Sequence, residues 1–160
     1  MIRHMKIAAA GFIGLFGLFV FLGNMFNISS AYSFVSAVMA NPEQPYYKII
    51  GPMISANWLI WATLFVIMGA ELIVGLLGIS GALRMIRQRA AAPEAFDAAK
   101  SHAVLAGIAG MLIWYGLFIV VGEGYFQMWQ TELGLGAVNG AFRYGTVCAV
   151  LMFFIVSKTD

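Results

Sequence analysis

The sequence predicts an all-α fold: a four-helix transmembrane bundle, N-in and C-in, with a short interfacial helix in the first outer connection. Three observations predict it. The chain of 160 residues is 62% hydrophobic and 10% charged, whereas a soluble domain has about 25% charged residues. Four apolar segments each approach the roughly 20 residues that cross a bilayer. Basic residues concentrate in alternate connections, as the positive-inside rule requires.

The first span covers about residues 7–25 and follows a basic N-terminus that carries Arg3 and Lys6. This pattern is similar to a signal peptide, and "AVMAN" at 37–41 offers a small-residue cleavage site. Because the apolar run is long, we expect an uncleaved first span. The other spans are expected at about 58–83, 102–121 and 137–156, so residues 1–160 form one membrane domain.

The distribution of lysine and arginine predicts the orientation of the spans. Four basic residues lie in the middle connection, and Lys158 follows the last span. The two other connections hold only Lys48, and Arg143 lies within the fourth span. Both termini and the connection 84–100 are therefore expected in the cytoplasm, and the protein in the bacterial inner membrane as a multi-pass protein.

The first outer connection, Asn27 to Asn57, is long for a bare loop. Its segment "SAYSFVSAVMANP" has apolar residues at helical spacing and ends at Asn41-Pro42, which favours a short helix lying in the interface. A helix that caps its neighbours is the alternative. Before the third span, Pro93 suits a first helical position.

The second and fourth spans each contain one charge, Glu71 and Arg143. A bare charge in the middle of a bilayer costs about 2.5 kcal/mol or more. Counted from the cytoplasmic ends of the spans, both residues lie about 20 Å deep at 1.5 Å per residue. We therefore expect an intramembrane Glu71–Arg143 pair that faces the bundle interior and fixes its shape.

An alternative arrangement separates the two charges. Arg143 would then reach Glu123 or Glu132, and a protonated Glu71 would bond to Tyr115 or to a backbone carbonyl. Buried ionisable groups also mark proton paths and substrate sites in membranes, so a path through Glu71 is a second interpretation of the same residues.

Other chemistry has weak support in the sequence. No catalytic residues, metal ligands or phosphate loop are apparent, and the scattered basic residues exclude nucleic acid as a partner. We expect no enzyme activity and no cofactor beyond bound lipids, with haem on His4 and His102 a remote alternative.

An outer-face lipid or quinone pocket could be formed by Glu123, Tyr125, Gln127, Trp129 and Gln130. The small residues Gly107, Gly110, Gly136 and Gly140 have the four-residue or three-residue spacing of close helix packing.

The stretch "AFDAAKSHAVLAGIAGMLIWYGLFIVVGEGYFQMWQ", followed by "NGAFRY", resembles the DUF2165 family of predicted small integral membrane proteins. The second span, "AELIVGLLGISGALRMIR", is similar to the family's second span and includes a glutamate at Glu71. The resemblance implies a prokaryotic four-span protein and a family pattern of Glu71, Met128, Trp129, Gln130, Phe142 and Arg143.

This chain departs from the family pattern at three places. It has "GEGYF" where Gly-Gly-Glu-Trp-Phe is usual, and "ELGLGAVNG" where Trp-Asn-Gly-Gln usually follows. It also lacks the histidine that many members have near Ala37. A role that depends on that histidine or on the Gly-Gly-Glu turn does not transfer to this chain.

The small size, the short loops and the many small and aromatic residues favour a non-catalytic accessory subunit. It would stabilise a larger inner-membrane complex, of the respiratory or photosynthetic kind, through other integral membrane subunits and lipids. The alternatives are a small transporter or channel that passes protons or anions at Glu71 and Arg143, and a redox subunit that binds quinone or haem.

Overall fold

The computed structural model describes residues 1–40 and 45–158, and the regular secondary structure of these residues is helical. Four helical segments, Ile2–Phe26, Asn57–Arg87, Pro93–Tyr125 and Glu132–Val156, are long and apolar enough to cross a membrane. The predicted all-α fold with four candidate spans is confirmed. The helices are α1 (Ile2–Phe26), α2 (Ile28–Ala40), α3 (Asn57–Arg87), α4 (Pro93–Ala99), α5 (Ser101–Met111), a π-helix (Leu112–Tyr125), a 3-10 turn (Met128–Gln130) and α6 (Glu132–Val156).

The central contact of the bundle is between α1 and α3, which pack backbone to backbone. A Cβ atom added to Gly14 would lie 2.5 Å from the backbone nitrogen of Ile79, and one added to Gly78 would lie 2.4 Å from Gly14 Cα. Gly17 approaches Gly75 in the same way, with 2.7 Å from its added Cβ to the Gly75 nitrogen. Dispersion contacts between closely spaced backbones hold helices together where lipid removes the hydrophobic driving force.

The first helix is interrupted at Asn27, where the backbone leaves helical geometry at φ −121° and ψ 39°. The chain resumes at once as α2, the short helix that the sequence predicts in this connection. Its buried residues Val35 and Met39 form a cluster with Ile60 and Leu64 of α3. One face of α2 therefore packs on protein, as in the alternative that the sequence left open; the predicted stop at Asn41-Pro42 lies outside the described residues.

The third long segment changes its hydrogen bonding along its length. It begins with α4 at Pro93, the predicted first position, continues as α5, and becomes a π-helix from Leu112 to Tyr125. The amide of Phe126 bonds to the carbonyl of Val121 at 3.0 Å, the five-residue spacing of a π-helix. Long π segments are rare, and π-bulges are frequent at functional sites.

Basic side chains tie the elements together at one end of the bundle, here called the basic end. Arg3 donates to the carbonyls of Arg89 at 3.2 Å and Ala91 at 2.7 Å, and its guanidinium lies 4.8 Å from the centre of the Phe96 ring. Lys6 is fully buried and donates to the carbonyl of Ser157. These bonds place the two ends of the described chain beside the α3–α4 connection.

We expect Gly78→Ala to destabilise the bundle, because a methyl group there meets backbone atoms of α1 that cannot move aside. Overpacking costs about 1–3 kcal/mol, and the unfolding free energy in bicelles should fall by that amount. Gly69→Ala on the same helix is the matched control, since a Cβ atom there has no neighbour within 4 Å. Equal stability of the two variants would contradict the packing described for α1 and α3.

Candidate functional site

Glu71 lies at mid-height in the bundle and is 1% exposed. It follows Asn57, the first residue of α3, by fourteen residues, or about 21 Å at 1.5 Å per residue. The amide nitrogen of Asn24, near the end of α1, donates to both of its carboxylate oxygens, at 3.0 Å and 2.9 Å. In the described chain no lysine, arginine or histidine forms an ion pair with this carboxylate.

Glu71 and Asn24 lie in the wall of a cavity of about 290 Å³, here called the Glu71 cavity. Its wall combines the two polar side chains with aromatic rings and with small residues of α6. Two of these residues, Gly136 and Tyr144, are exposed and lie on its open side. The full lining is Val20, Asn24, Ala31, Phe34, Val35, Leu64, Ile67, Glu71, Trp114, Phe118, Gly136, Ala137, Gly140, Ala141 and Tyr144.

The expected Glu71–Arg143 ion pair is not formed. Arg143 is exposed on α6, while the partner of Glu71 is Asn24. The side chain of Arg143 has no hydrogen bond or ion pair with any described residue, so it does not reach Glu123 or Glu132 either. Depth estimates placed the two charges at similar heights but carried no information on which face of α6 points inward.

Tyr115 does not take the role that the alternative arrangement gives it. Its hydroxyl lies 2.7 Å from Thr146 Oγ1 on α6 and does not bond to Glu71. Its ring fills the space beside Gly145, where an added Cβ would lie 2.6 Å from a ring carbon. Tyr115 therefore joins the π-helix to α6 through packing and one hydroxyl contact.

The four glycines selected from the sequence fall into two classes. A Cβ atom on Gly107 would meet Met152 at 2.6 Å, and one on Gly110 would meet the Cys148 sulfur at 2.9 Å. Both glycines therefore allow α5 to approach α6. A Cβ atom on Gly136 has no neighbour within 4 Å, and one on Gly140 meets only a Tyr144 ring carbon at 3.7 Å.

The polar residues predicted to line an outer pocket bond to one another and to the connection 45–56. The Gln130 amide accepts from the Tyr46 and Tyr47 amides at 2.9 Å and donates to the Tyr47 carbonyl at 2.6 Å. Gln127, in a left-handed conformation at φ 55°, accepts from the Trp129 indole at 2.8 Å.

The remaining two residues of that set take no part in those bonds. Tyr125 packs against Phe126 and points its hydroxyl at Gly51, and Glu123 is half-buried. Gln127, Trp129 and Gln130 thus stabilise the turn before α6, and their polar groups are already used in these hydrogen bonds.

Two polar clusters were not recognised in the sequence. Asn24 lies seven residues after Gly17, which lies three residues after Gly14, so all three residues share one face of α1. This helical spacing could have identified Asn24 as a partner of Glu71. His102 lies between Ser80 and Arg84, with Ser80 Oγ 2.9 Å from Nδ1 and Arg84 Nη1 2.7 Å from Nε2. Since arginine only donates, Nε2 is the acceptor in this contact.

Comparison with known protein families gives a match over nearly the whole chain. The family model described as "Predicted small integral membrane protein (DUF2165)" matches residues 2–158. No curated protein and no solved structure matches the chain. The resemblance seen in the sequence is therefore confirmed over nearly the whole chain.

We expect Asn24→Leu to destabilise the protein, because it leaves the buried Glu71 carboxylate without its donor. An unsatisfied buried group costs about 1–3 kcal/mol, and more when it is charged. Unfolding in bicelles should show this loss, and the double variant Asn24→Leu/Glu71→Leu should recover part of it. Asn139→Leu, on the exposed side of α6, is the matched amide control. Strict additivity of the two single changes would contradict the interaction.

Proposed function

We propose that this chain, which belongs to the DUF2165 family of predicted small integral membrane proteins, is a non-catalytic accessory subunit of a larger membrane complex. Its docking surface is the Arg143 face, defined as Gly136, Asn139, Arg143 and Val147 on α6. The partner is a membrane helix of a different protein that carries an acidic residue at mid-height.

The observation that supports this proposal is the exposure of an unpaired Arg143 deep in a candidate span. It follows Glu132, the first residue of α6, by eleven residues, or about 16 Å. Arginine near a helix end extends to the interface, but at mid-bilayer it costs about 2.5–3.5 kcal/mol even on the most lenient scales. A carboxylate from a neighbouring helix removes that cost and makes a bidentate bond with the guanidinium.

A second copy of this chain does not supply that carboxylate. Membrane oligomers related by an axis along the membrane normal keep each residue at its own depth. Among the described acids, only Glu71 lies near the depth of Arg143, and it is enclosed by its own bundle. The complementary acid must therefore come from another protein.

The glycine on the Arg143 face supports contact with a helix. Gly136 is exposed and, like Gly11, Gly23, Gly69 and Gly116, has no neighbour within 4 Å of an added Cβ atom. An open glycine beside a polar side chain lets a second backbone approach closely enough for interhelical hydrogen bonds. Asn139, which is exposed one turn from Arg143, adds a further donor and acceptor.

Lipid contact is the second part of the proposed role. A groove of about 430 Å³ lies between α2, α3 and the π-helix, with apolar side chains such as Val38, Val66 and Val121 in its wall. Its chemistry suits a lipid acyl chain. The lysine and arginine distribution supports a cytoplasmic location for the basic end and an inner-membrane setting for the complex.

Proton passage through Glu71 is a second candidate function, favoured by the position of this carboxylate in the wall of a mid-height cavity. Tyr144 is the other side chain in that wall that can exchange a proton. Proton flux into vesicles that is lost in Glu71→Gln and kept in Arg143→Gln would favour this function over the accessory role.

We expect Arg143→Gln to release the chain from its complex, because the amide keeps polarity but cannot neutralise an acid. The measurement is the native mass of the solubilised complex from cells that express the variant in place of the original chain. Arg143→Lys should keep part of the association, since it retains charge but loses the planar fork. Purified alone, both variants should unfold like the original protein.

A photo-crosslinking side chain at Val147 locates the contact. We expect it to join this chain to a single different protein with a membrane helix that contains an acid. The same side chain at Phe19, which is 67% exposed on α1, is the control and should label mainly lipid. Crosslinks from Val147 only to lipid or to a second copy would overturn the accessory role.

A further inference from the structure

We propose that the Glu71 cavity is a binding site for a small organic ammonium ion, with the Glu71 carboxylate as its counter-charge. This site adjoins the Arg143 face at Gly136, which belongs to both, but the inference does not depend on the accessory role.

The charge balance of the cavity calls for a cation. Glu71 is 1% exposed, and its hydrogen-bond donor in the described chain is the neutral amide of Asn24. A carboxylate has about four acceptor positions, and Asn24 supplies one nitrogen. A buried carboxylate with one neutral partner is strongly destabilising until a proton or a cation neutralises it.

The shape of the cavity favours an organic ion over a metal ion. Calcium and magnesium require about six oxygen ligands, and the described residues contain no group of three metal-binding side chains. The volume of about 290 Å³ is near the lower end of the range for small-molecule pockets, about 300–1,000 Å³. This cavity volume is larger than the space that a proton or a bare metal ion occupies.

Aromatic rings in the wall match the chemistry of an ammonium group. Trp114 and Tyr144 lie 5.9 Å apart in an edge-on arrangement, and Phe34 and Phe118 lie 6.5 Å apart and stacked. All four line the cavity. Ring faces attract alkylated ammonium ions, and a carboxylate with an aromatic cage is a recurring way to bind them.

The backbone near the cavity is interrupted in two helices. The α1–α2 break at Asn27 lies three residues after Asn24, and the π-helix begins at Leu112, two residues before Trp114. Membrane proteins place substrate and ion sites near mid-bilayer where helices are discontinuous. Near these two interruptions, the amide of Asn24, the carboxylate of Glu71 and the indole of Trp114 lie in the wall of one cavity.

Equilibrium dialysis with benzyltrimethylammonium tests the site, using the full chain in nanodiscs of phosphatidylglycerol. We expect one saturable site per chain. Glu71→Gln should weaken binding by at least about tenfold, because it removes the charge and keeps a side chain of the same shape. Glu123→Gln is the matched control and should bind as the original protein does. No saturable binding, or equal binding by Glu71→Gln, would overturn the proposal.

A second variant tests the cavity without altering its charge, in case Glu71→Gln folds poorly. Ala137→Leu adds volume to the wall and should also reduce binding by at least about tenfold, while Ala8→Leu, exposed on α1, should not. Unchanged binding by Ala137→Leu would place the probe elsewhere and overturn the proposal.

Two lipid compositions distinguish the sources of the ammonium group. If phosphatidylethanolamine in the nanodiscs competes with the probe, the natural ligand is a lipid headgroup. If phosphatidylethanolamine does not compete, the natural ligand is a soluble amine. Either result supports an ammonium site at Glu71.

Discussion

The structure depends on the close contact between α1 and α3. Because Gly14 and Gly17 have no side chains, the backbone of α1 lies directly against Gly75 and Gly78. The helix repeat then brings Asn24, seven residues beyond Gly17, to the height of Glu71. The polar pair at the centre of the bundle is thus a consequence of the glycine contact.

The two charges within the spans have opposite environments, and this decides what each can do. Glu71 faces inward, where an amide and a ring-lined space surround it. Arg143 faces outward on α6 with no described partner. A pair between them would have neutralised both charges within the chain. Their separation leaves Glu71 available to the ammonium ion, and Arg143 available to the partner helix, that we propose.

Much of the fold follows from the sequence by elementary arguments. Four apolar segments of membrane length predict the four long helices, and Pro93 and the apolar spacing in 32–39 predict a helix start and a short helix that the structure contains. The site was predicted less well. Glu71 was identified by its cost in lipid, but its partner was not, because hydropathy and depth fix height along a helix and leave rotation about its axis open.

The sequence by itself determined that lipid surrounds the helices, how many candidate spans there are, and that a carboxylate and an arginine lie within them at a cost in free energy. Each of these follows from transfer free energies along the chain. The tertiary structure decided which face of each helix points inward, and with it the choice of Asn24 over Arg143 as the partner of Glu71. That choice depends on backbone approach at a few glycines, a property of two helices together that neither segment contains alone.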